Sequence, residues 1–340
     1  MHTIQGNKVQ LLYDGRLFYD ALLADIRAAE HSILMEFFIF REDAISMAIM
    51  DALAERARSG VQVCVLLDYF GCLQHFEEKR WWRPMKSAFV RKYRDSGVDL
   101  AFWRRKLFFP RNHRKLTLID GKVAYTGGMN VSEMYRRGGC LDMHLRIEGP
   151  AAAAFHAGFA RMWSSCRKLP PGAPGSAPPA PCGDVSLAVL ESPLPGARLV
   201  AEELYCQLIA SARESIRMIT PYFWPTGPIR RGLRAAARRG VRVELMMGAE
   251  SDLPLSILTF ILFSTARRLA RKGCFTLHLE PGCFHHDKVL SVDGRLAIIG
   301  SYNLDFFSLR VNHELGVLID DPAVARELDR YFDEHAHSEG

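Results

Sequence analysis

Two stretches of this chain repeat one order of apolar and polar positions. The first, residues 31–67, opens on the apolar run ILMEFFIF, continues with apolar positions at the helical period for about four turns, reaches a Gly and ends on VQVCVLL. The second, residues 214–247, follows the same order with IRMITPYF, a helical stretch, Arg-Arg-Gly and VRVELMM. Each predicts a strand, a helix with a Gly at its C-terminal cap, and a second strand. Together these form a βαβ unit, which favours neighbouring parallel strands joined by a right-handed crossover.

After a further helix in each half, short strands are predicted around Asp-Gly. Residues 116–119 and 289–292 run into Asp120-Gly121 and Asp293-Gly294, a two-residue hairpin signal, and residues 123–126 and 296–299 return. Ahead of the chain's middle, Phe155, Phe159 and Trp163 recur at i, i+4 and i+8, one face of a helix and a core face. Residues 168–184 read KLPPGAPGSAPPAPCGD, too rich in Pro, Gly and Ala to pack a core, and predict an exposed linker. The expected organisation is a first domain over 1–167, that linker, and a second domain over 185–340.

Composition adds little to this picture. At 340 residues, with 49% hydrophobic and 24% charged residues, the chain is globular and a disordered polymer is excluded. A net charge of +6 suits anionic lipid or nucleic acid without choosing between them. Eight Cys occur with no C-x-x-C pair, so reduced, buried thiols in a cytoplasmic protein are expected rather than disulfides or a zinc site. The first fifteen residues carry no signal-peptide pattern. No apolar run approaches the ~20 residues of a membrane span.

The chemistry lies in a second level of the repeat. His113-x-Lys115, Asp120, Gly127, Gly128 and Asn130 are matched by His286-x-Lys288, Asp293, Gly300, Ser301 and Asn303, at identical spacing. One His-x-Lys would mean nothing in a chain with 12 His and 44 Lys plus Arg, but two copies agreeing at this many sites are not chance. Residues two apart on a strand share a face, so each His projects with its Lys. Brought face to face, two imidazoles, two ammonium groups and two carboxamides suit a phosphodiester, whose transition state spreads negative charge. One His can attack phosphorus while the other serves as acid and base, and no metal or other cofactor is required. Asp120 and Asp293 belong to the motif, although an Asp before Gly is also a turn former. Gly128 faces Ser301 across the repeat, so only the second half offers a hydroxyl. His285 points to the strand face opposite His286, towards the surface or behind the site. His144 is divided evenly between pocket and sheet.

This double HxK(x4)D(x6)G[SG]xN signature resembles the phospholipase D superfamily. The flanks ILMEFFIFREDA, VQVCVLLDYFG, TPYFWP and GSYNLDFFSLRVNHE are similar to bacterial cardiolipin synthases, of the shorter type without N-terminal transmembrane helices, from about residue 8 to residue 335. The resemblance implies an α/β fold of two similar sandwich domains, each a mixed sheet flanked by helices, related by pseudo-two-fold symmetry with the active site between them. It implies that an acidic residue on the next strand hydrogen-bonds each motif His. Asp142 and Glu314 fit, lying 142 − 113 = 29 and 314 − 286 = 28 residues downstream.

The implied reaction is phosphatidyl transfer through a covalent phosphatidyl-histidine, His113 as nucleophile and His286 as acid and base, making cardiolipin from phosphatidylglycerol and a second phospholipid, phosphatidylethanolamine being the further option. A hydrolase of phospholipid or nucleic acid is the first alternative, and a catalytically dead lipid-binding module the second. The implied partner is an anionic phospholipid membrane surface, met from the cytoplasmic side without spanning it, and no nucleic acid is expected. Residues 76–94 and 101–114 mix Trp and Phe with Lys and Arg and suit such a surface better than a nucleic-acid groove. Residues 253–263 are evenly divided between an inserting loop and a buried helix.

Overall fold

A computed structural model describes residues 3–73, 88–104, 110–138, 140–167, 178–192, 200–250, 256–282 and 284–336. The first half comprises β1 (Ile4–Leu12), α1 (Gly15–Ala28), β2 (Ser32–Phe37), α2 (Ala44–Arg58), β3 (Gln62–Asp68), α3 (Tyr69–Cys72), α4 (Ala88–Asp95), β4 (Asp99–Trp103), β5 (Leu116–Ile119), β6 (Val123–Gly127), α5 (Glu133–Arg136), β7 (His144–Glu148) and α6 (Ala152–Ser164). The second comprises β8 (Val185–Glu191), α7 (Val200–Ser211), β9 (Ser215–Ile219), β10 (Phe223–Trp224), α8 (Gly227–Arg238), β11 (Arg242–Gly248), α9 (Ser256–Arg271), β12 (Thr276–Glu280), β13 (Val289–Val292), β14 (Leu296–Gly300), β15 (Leu304–Asp305), α10 (Phe306–Arg310), β16 (Leu315–Asp320) and α11 (Pro322–His335).

The sheet order is the same read outward from its centre. β1-β7-β6-β5-β2-β3-β4 runs one way and β8-β16-β14-β13-β9-β11-β12 the other, and antiparallel pairing of β1 with β8 joins them into fourteen strands. The βαβ units form as their pattern requires, with β2 parallel to β3 and β9 parallel to β11. α2 and α8 are each followed by a Gly at positive φ, Gly60 and Gly240. The hairpins close on Asp120-Gly121 and Asp293-Gly294, all four at positive φ, as a tight turn between twisted strands demands.

Three apolar cores follow from this layering. One lies under α1, α2 and α4 of the first half, and another under α7, α8 and α9 of the second. The third lies between the halves, where Phe155, Phe159 and Trp163 of α6 and Leu328 and Phe332 of α11 meet residues of both half-sheets. That middle core fixes the two copies of the motif relative to each other.

The linker segment 168–184 lies outside the described residues up to 177, as do all residues from 74 to 87 and residues 105–109 of the two aromatic and basic stretches. Thiols are more varied in placement than expected: Cys64, Cys72, Cys140 and Cys274 are buried, but Cys166 and Cys206 are half-buried and Cys182 is exposed. No described helix is long and apolar enough to cross a membrane.

Candidate active site

The motif segments lead into the strands next to the middle core, and two short bridges stitch them together across the halves. His113 N donates to His313 O at 2.9 Å and His313 N to Arg111 O at 2.9 Å, so residues 111–113 run beside 313. Leu141 N donates to Phe284 O at 3.0 Å and His286 N to Leu141 O at 2.7 Å, the equivalent bridge. Each bridge sets a carboxylate of one half beside the histidine of the other.

The histidine partners are therefore exchanged relative to the sequence expectation, which paired each His with the acid downstream in its own half. His113 Nδ1 lies 3.1 and 2.9 Å from the two oxygens of Glu314, and His286 Nδ1 lies 2.5 Å from Asp142 Oδ2. The reason is the register of the bridges: Glu314 follows His313, and Asp142 follows Leu141. Holding Nδ1 with a carboxylate turns Nε2 of each ring away from its partner and fixes the ring.

Lys115 and Lys288 are buried, and each ammonium donates to the carbonyl of its own motif His. Lys288 Nζ also lies 2.8 Å from His286 Nδ1. Burial lowers both histidines well below their ordinary value, and the two lysine charges add to the effect, so both rings are neutral at neutral pH. Burial likewise brings Lys115 down to about 7, with Lys288 pushing the same way and Glu314 opposing. Burial raises Glu314 to about 8 and Asp142 well above the usual carboxylate range, against the pull of the lysines. Two lysines and two imidazoles gathered in one dry site fit a site that receives an anionic group.

The glycine and serine positions explain themselves by contact. A Cβ on Gly128 would lie 2.1 Å from Asp142 Oδ1, so the first half cannot carry the serine of the second. Glu314, longer by one methylene, leaves room for Ser301, whose Oγ donates to Glu314 and accepts from Leu315 N at 2.9 Å. Ser301 thus supports the carboxylate rather than standing as a lone phosphate donor. A Cβ on Gly127 would meet Met143 O at 2.4 Å, and one on Gly300 would meet Gly316 Cα at 2.4 Å, so both allow close strand approach. Asn130 is partly committed, accepting from Ile39 N at 3.1 Å and donating to Tyr135 Oη at 3.2 Å. Asn303 is buried and its Oδ1 has no hydrogen-bond partner among the described residues.

Asp120 and Asp293, grouped with the catalytic residues from the sequence, are at the wrong end of their strands. Asp120 accepts from Glu30 N, His31 N and Ser32 N at 3.0, 2.8 and 2.8 Å, and Asp293 accepts from Arg213 N, Glu214 N and Ser215 N at 2.9, 2.8 and 2.9 Å. Five residues of extended chain put them about 16 Å from their lysines. Each ties the hairpin to the start of the neighbouring strand. His285 is fully buried rather than near the surface. His144 packs on Phe18 with ring centroids 4.1 Å apart and makes no hydrogen bond among the described residues.

Several supporting residues carried no repeated signal. Phe38 stands edge-on to His113 at 4.8 Å, and Tyr135 Oη lies 3.5 Å from His286 Nδ1. Asn112 N donates to buried Asp68 and its Nδ2 to buried Glu36, which also pairs with Arg114. The available signal was a charged residue inside an apolar run, Glu36 in ILMEFF and Asp68 at the end of VCVLLD.

This geometry agrees with what the chain resembles. Residues 22–163 and 205–336 match the family described as cardiolipin synthase, PLD-like domain. The chain belongs to this family. Among its relatives, the probable cardiolipin synthase YwiE of Bacillus subtilis is 32% identical over 98% of this chain and 67% of its own length. Cardiolipin synthase A of Pseudomonas putida is 32% identical over 97% of this chain and 68% of its own. The fold is shared with phosphatidylserine synthase of Haemophilus influenzae, at a TM-score of 0.74 and 16% identity over 97% of this chain and 87% of that one. A polyphosphate kinase of Porphyromonas gingivalis shares it at 0.62 and 15% identity, over 96% of this chain and 50% of that one. The family membership and the mixed α/β fold expected from the double motif both hold.

Proposed function

We propose that this protein is a cardiolipin-forming phosphatidyltransferase working through a phosphatidyl-histidine. The observation that carries the reading is the pair of buried, carboxylate-held histidines beside two buried lysines. His113 Nε2 attacks the phosphorus of phosphatidylglycerol, the P–O bond to glycerol breaks, and His286 gives the leaving alkoxide the proton of its Nε2 as Nδ1 takes up that of Asp142, whose carboxyl burial holds well above the usual range. His286 then takes the proton from the hydroxyl of a second phospholipid, whose oxygen forms the new P–O bond as the N–P bond breaks. Lys115 and Lys288 offset the charge on the phosphoryl oxygens, and Asn130 and Asn303 stand as further donors. Glu314 and Asp142 position the rings, Ser301 holds Glu314, and Asp120 and Asp293 hold the strands. His113 as nucleophile is supported by its exposure, 9% against 4% for His286, and by the grip of both Glu314 oxygens.

The membrane surface is met from one side, and the repeat supplies an internal control for where. Trp224 on β10 and Phe306 and Phe307 on α10 are 45%, 47% and 45% exposed, and β10 pairs with β15, which follows Asn303. The equivalent pairing in the first half joins Phe40 to Val131, and the same three positions there are Arg41, Glu133 and Met134. The fold does not need aromatics at these positions, whereas a lipid interface favours them. Phe260 on neighbouring α9, 70% exposed, extends the patch towards Arg267, Arg268 and Arg271. The reading includes the cytoplasmic face, supported by the absence of any disulfide among the described cysteines.

The test is incubation of purified protein with phosphatidylglycerol vesicles, with and without phosphatidylethanolamine, and mass spectrometry of the lipid products. Cardiolipin from wild type and none from His113→Ala or His286→Ala supports the reading. Phosphatidic acid alone makes it a hydrolase, and no lipid turnover overturns it.

A further inference from the structure

Glu280, His285 and His335 converge from three elements and take no part in the chemistry above. Glu280 ends β12, His285 precedes the motif His286, and His335 ends α11, yet one ligand atom of each lies within 4.8 Å of the other two. His285 Nδ1 is 2.9 Å from Asp287 Oδ2, while its Nε2 meets one oxygen of Glu280. His335 Nδ1 lies 3.1 Å from the other oxygen of Glu280.

His285 stands between two carboxylates, Asp287 at Nδ1 and Glu280 at Nε2, and Glu280 is shared with His335. A carboxylate behind an imidazole whose other nitrogen faces a convergent donor set is the outer-shell pattern of metal-bound histidine. Two imidazoles and one carboxylate suit zinc-class ions. A cavity of about 390 Å³ reaches the cluster at His335, beside Tyr331 and Glu334.

The repeat again supplies a control. The first-half counterparts of Glu280, His285 and His335 are Trp103, Asn112 and Trp163, none of which would ligate a metal. The convergent histidine and carboxylate donors are thus confined to the second half.

We propose that Glu280, His285 and His335 bind one zinc-class divalent ion, with water completing its coordination. The ion ties α11 and β12 to the segment carrying His286 and Lys288, through the bridge that also sets Asp142. The proposal stands apart from the lipid chemistry and is tested without it.

Full-length protein without a polyhistidine tag is analysed for bound metal, stripped with a chelator, and titrated with Zn²⁺ by calorimetry and thermal melting, with Co²⁺ absorption reporting the ligand set. The expected result is about one Zn²⁺ per chain, a melting temperature raised by Zn²⁺, and affinity lowered at least about 100-fold in His335→Ala. Metal-free His335→Ala should melt close to metal-free wild type, because the residue sits at a helix end; Glu280→Gln serves as the second variant. Wild type whose melting ignores both Zn²⁺ and chelator, or equal affinity in both variants and wild type, overturns the proposal and leaves a proton-bridged cluster.

Discussion

Replacing the motif aspartate should damage folding and leave the chemistry intact. Asp120 sits at φ +50° and accepts three backbone N–H groups, two of them exposed enough for water to replace it. Losing these charge-assisted bonds costs about 2 kcal/mol net once water has re-paired the exposed donors. An alanine must also hold a left-handed backbone, about 1 kcal/mol more. Asp120→Ala should therefore lose about 3 kcal/mol, Asp120→Gly about 2 because glycine is spared the backbone cost, and Asp120→Asn about 1 because it keeps one acceptor and tolerates the conformation. At about 2 °C per kcal/mol for a chain of this size, the melting temperature should fall by about 6, 4 and 2 °C in that order. Cardiolipin formation per folded molecule, assayed below the onset of melting, should stay within about threefold of wild type. A loss of 100-fold or more in kcat/KM for Asp120→Asn with unchanged melting would refute the reasoning and return the carboxylate to the active site.

Three further outcomes follow from the site. Glu314→Gln should slow phosphatidylation of His113 about 10–100-fold, measured by rapid quench with labelled lipid; unchanged labelling would mean the cross-half bond does not orient the nucleophile. With Lys115 at about 7 in the free enzyme, its charge is present below that pH and lost above it, so kcat/KM should fall as pH rises through about 7. The acid limb should lie well below 6.5, because His113 is held neutral, and Lys115→Arg should abolish the alkaline limb, since guanidinium stays charged. Replacing Trp224, Phe306 and Phe307 by Ala should weaken binding to anionic vesicles about 100-fold, at about 1 kcal/mol for each half-exposed ring. Turnover of a short-chain soluble phospholipid should persist, and undiminished vesicle binding would move the membrane face elsewhere.

The sequence alone determined the repeat, the βαβ units, the hairpins and the identity of the His-x-Lys pairs, because these depend on local period and turn chemistry. Continuous apolar runs flanking a 3.6-residue period can form little else, and Asp-Gly between two short apolar runs specifies its own turn. Tertiary structure decided what depends on register across the halves. Asp142 and Glu314 could be named from position, but which histidine each serves is set by the bridges of Leu141 to residues 284–286 and of His313 to residues 111–113. The same holds for Ser301 against Gly128, a difference of one methylene in the facing carboxylate. Asp120 and Asp293 shared the motif spacing with the catalytic groups, yet strand geometry carries a residue five positions on to the far end of the sheet. Glu280, His285 and His335 lie up to 55 residues apart in sequence and met only because α11 packs back over β12. Spacing along the chain reports what is built by one segment; contacts between segments are decided by how the two half-sheets close on their common core.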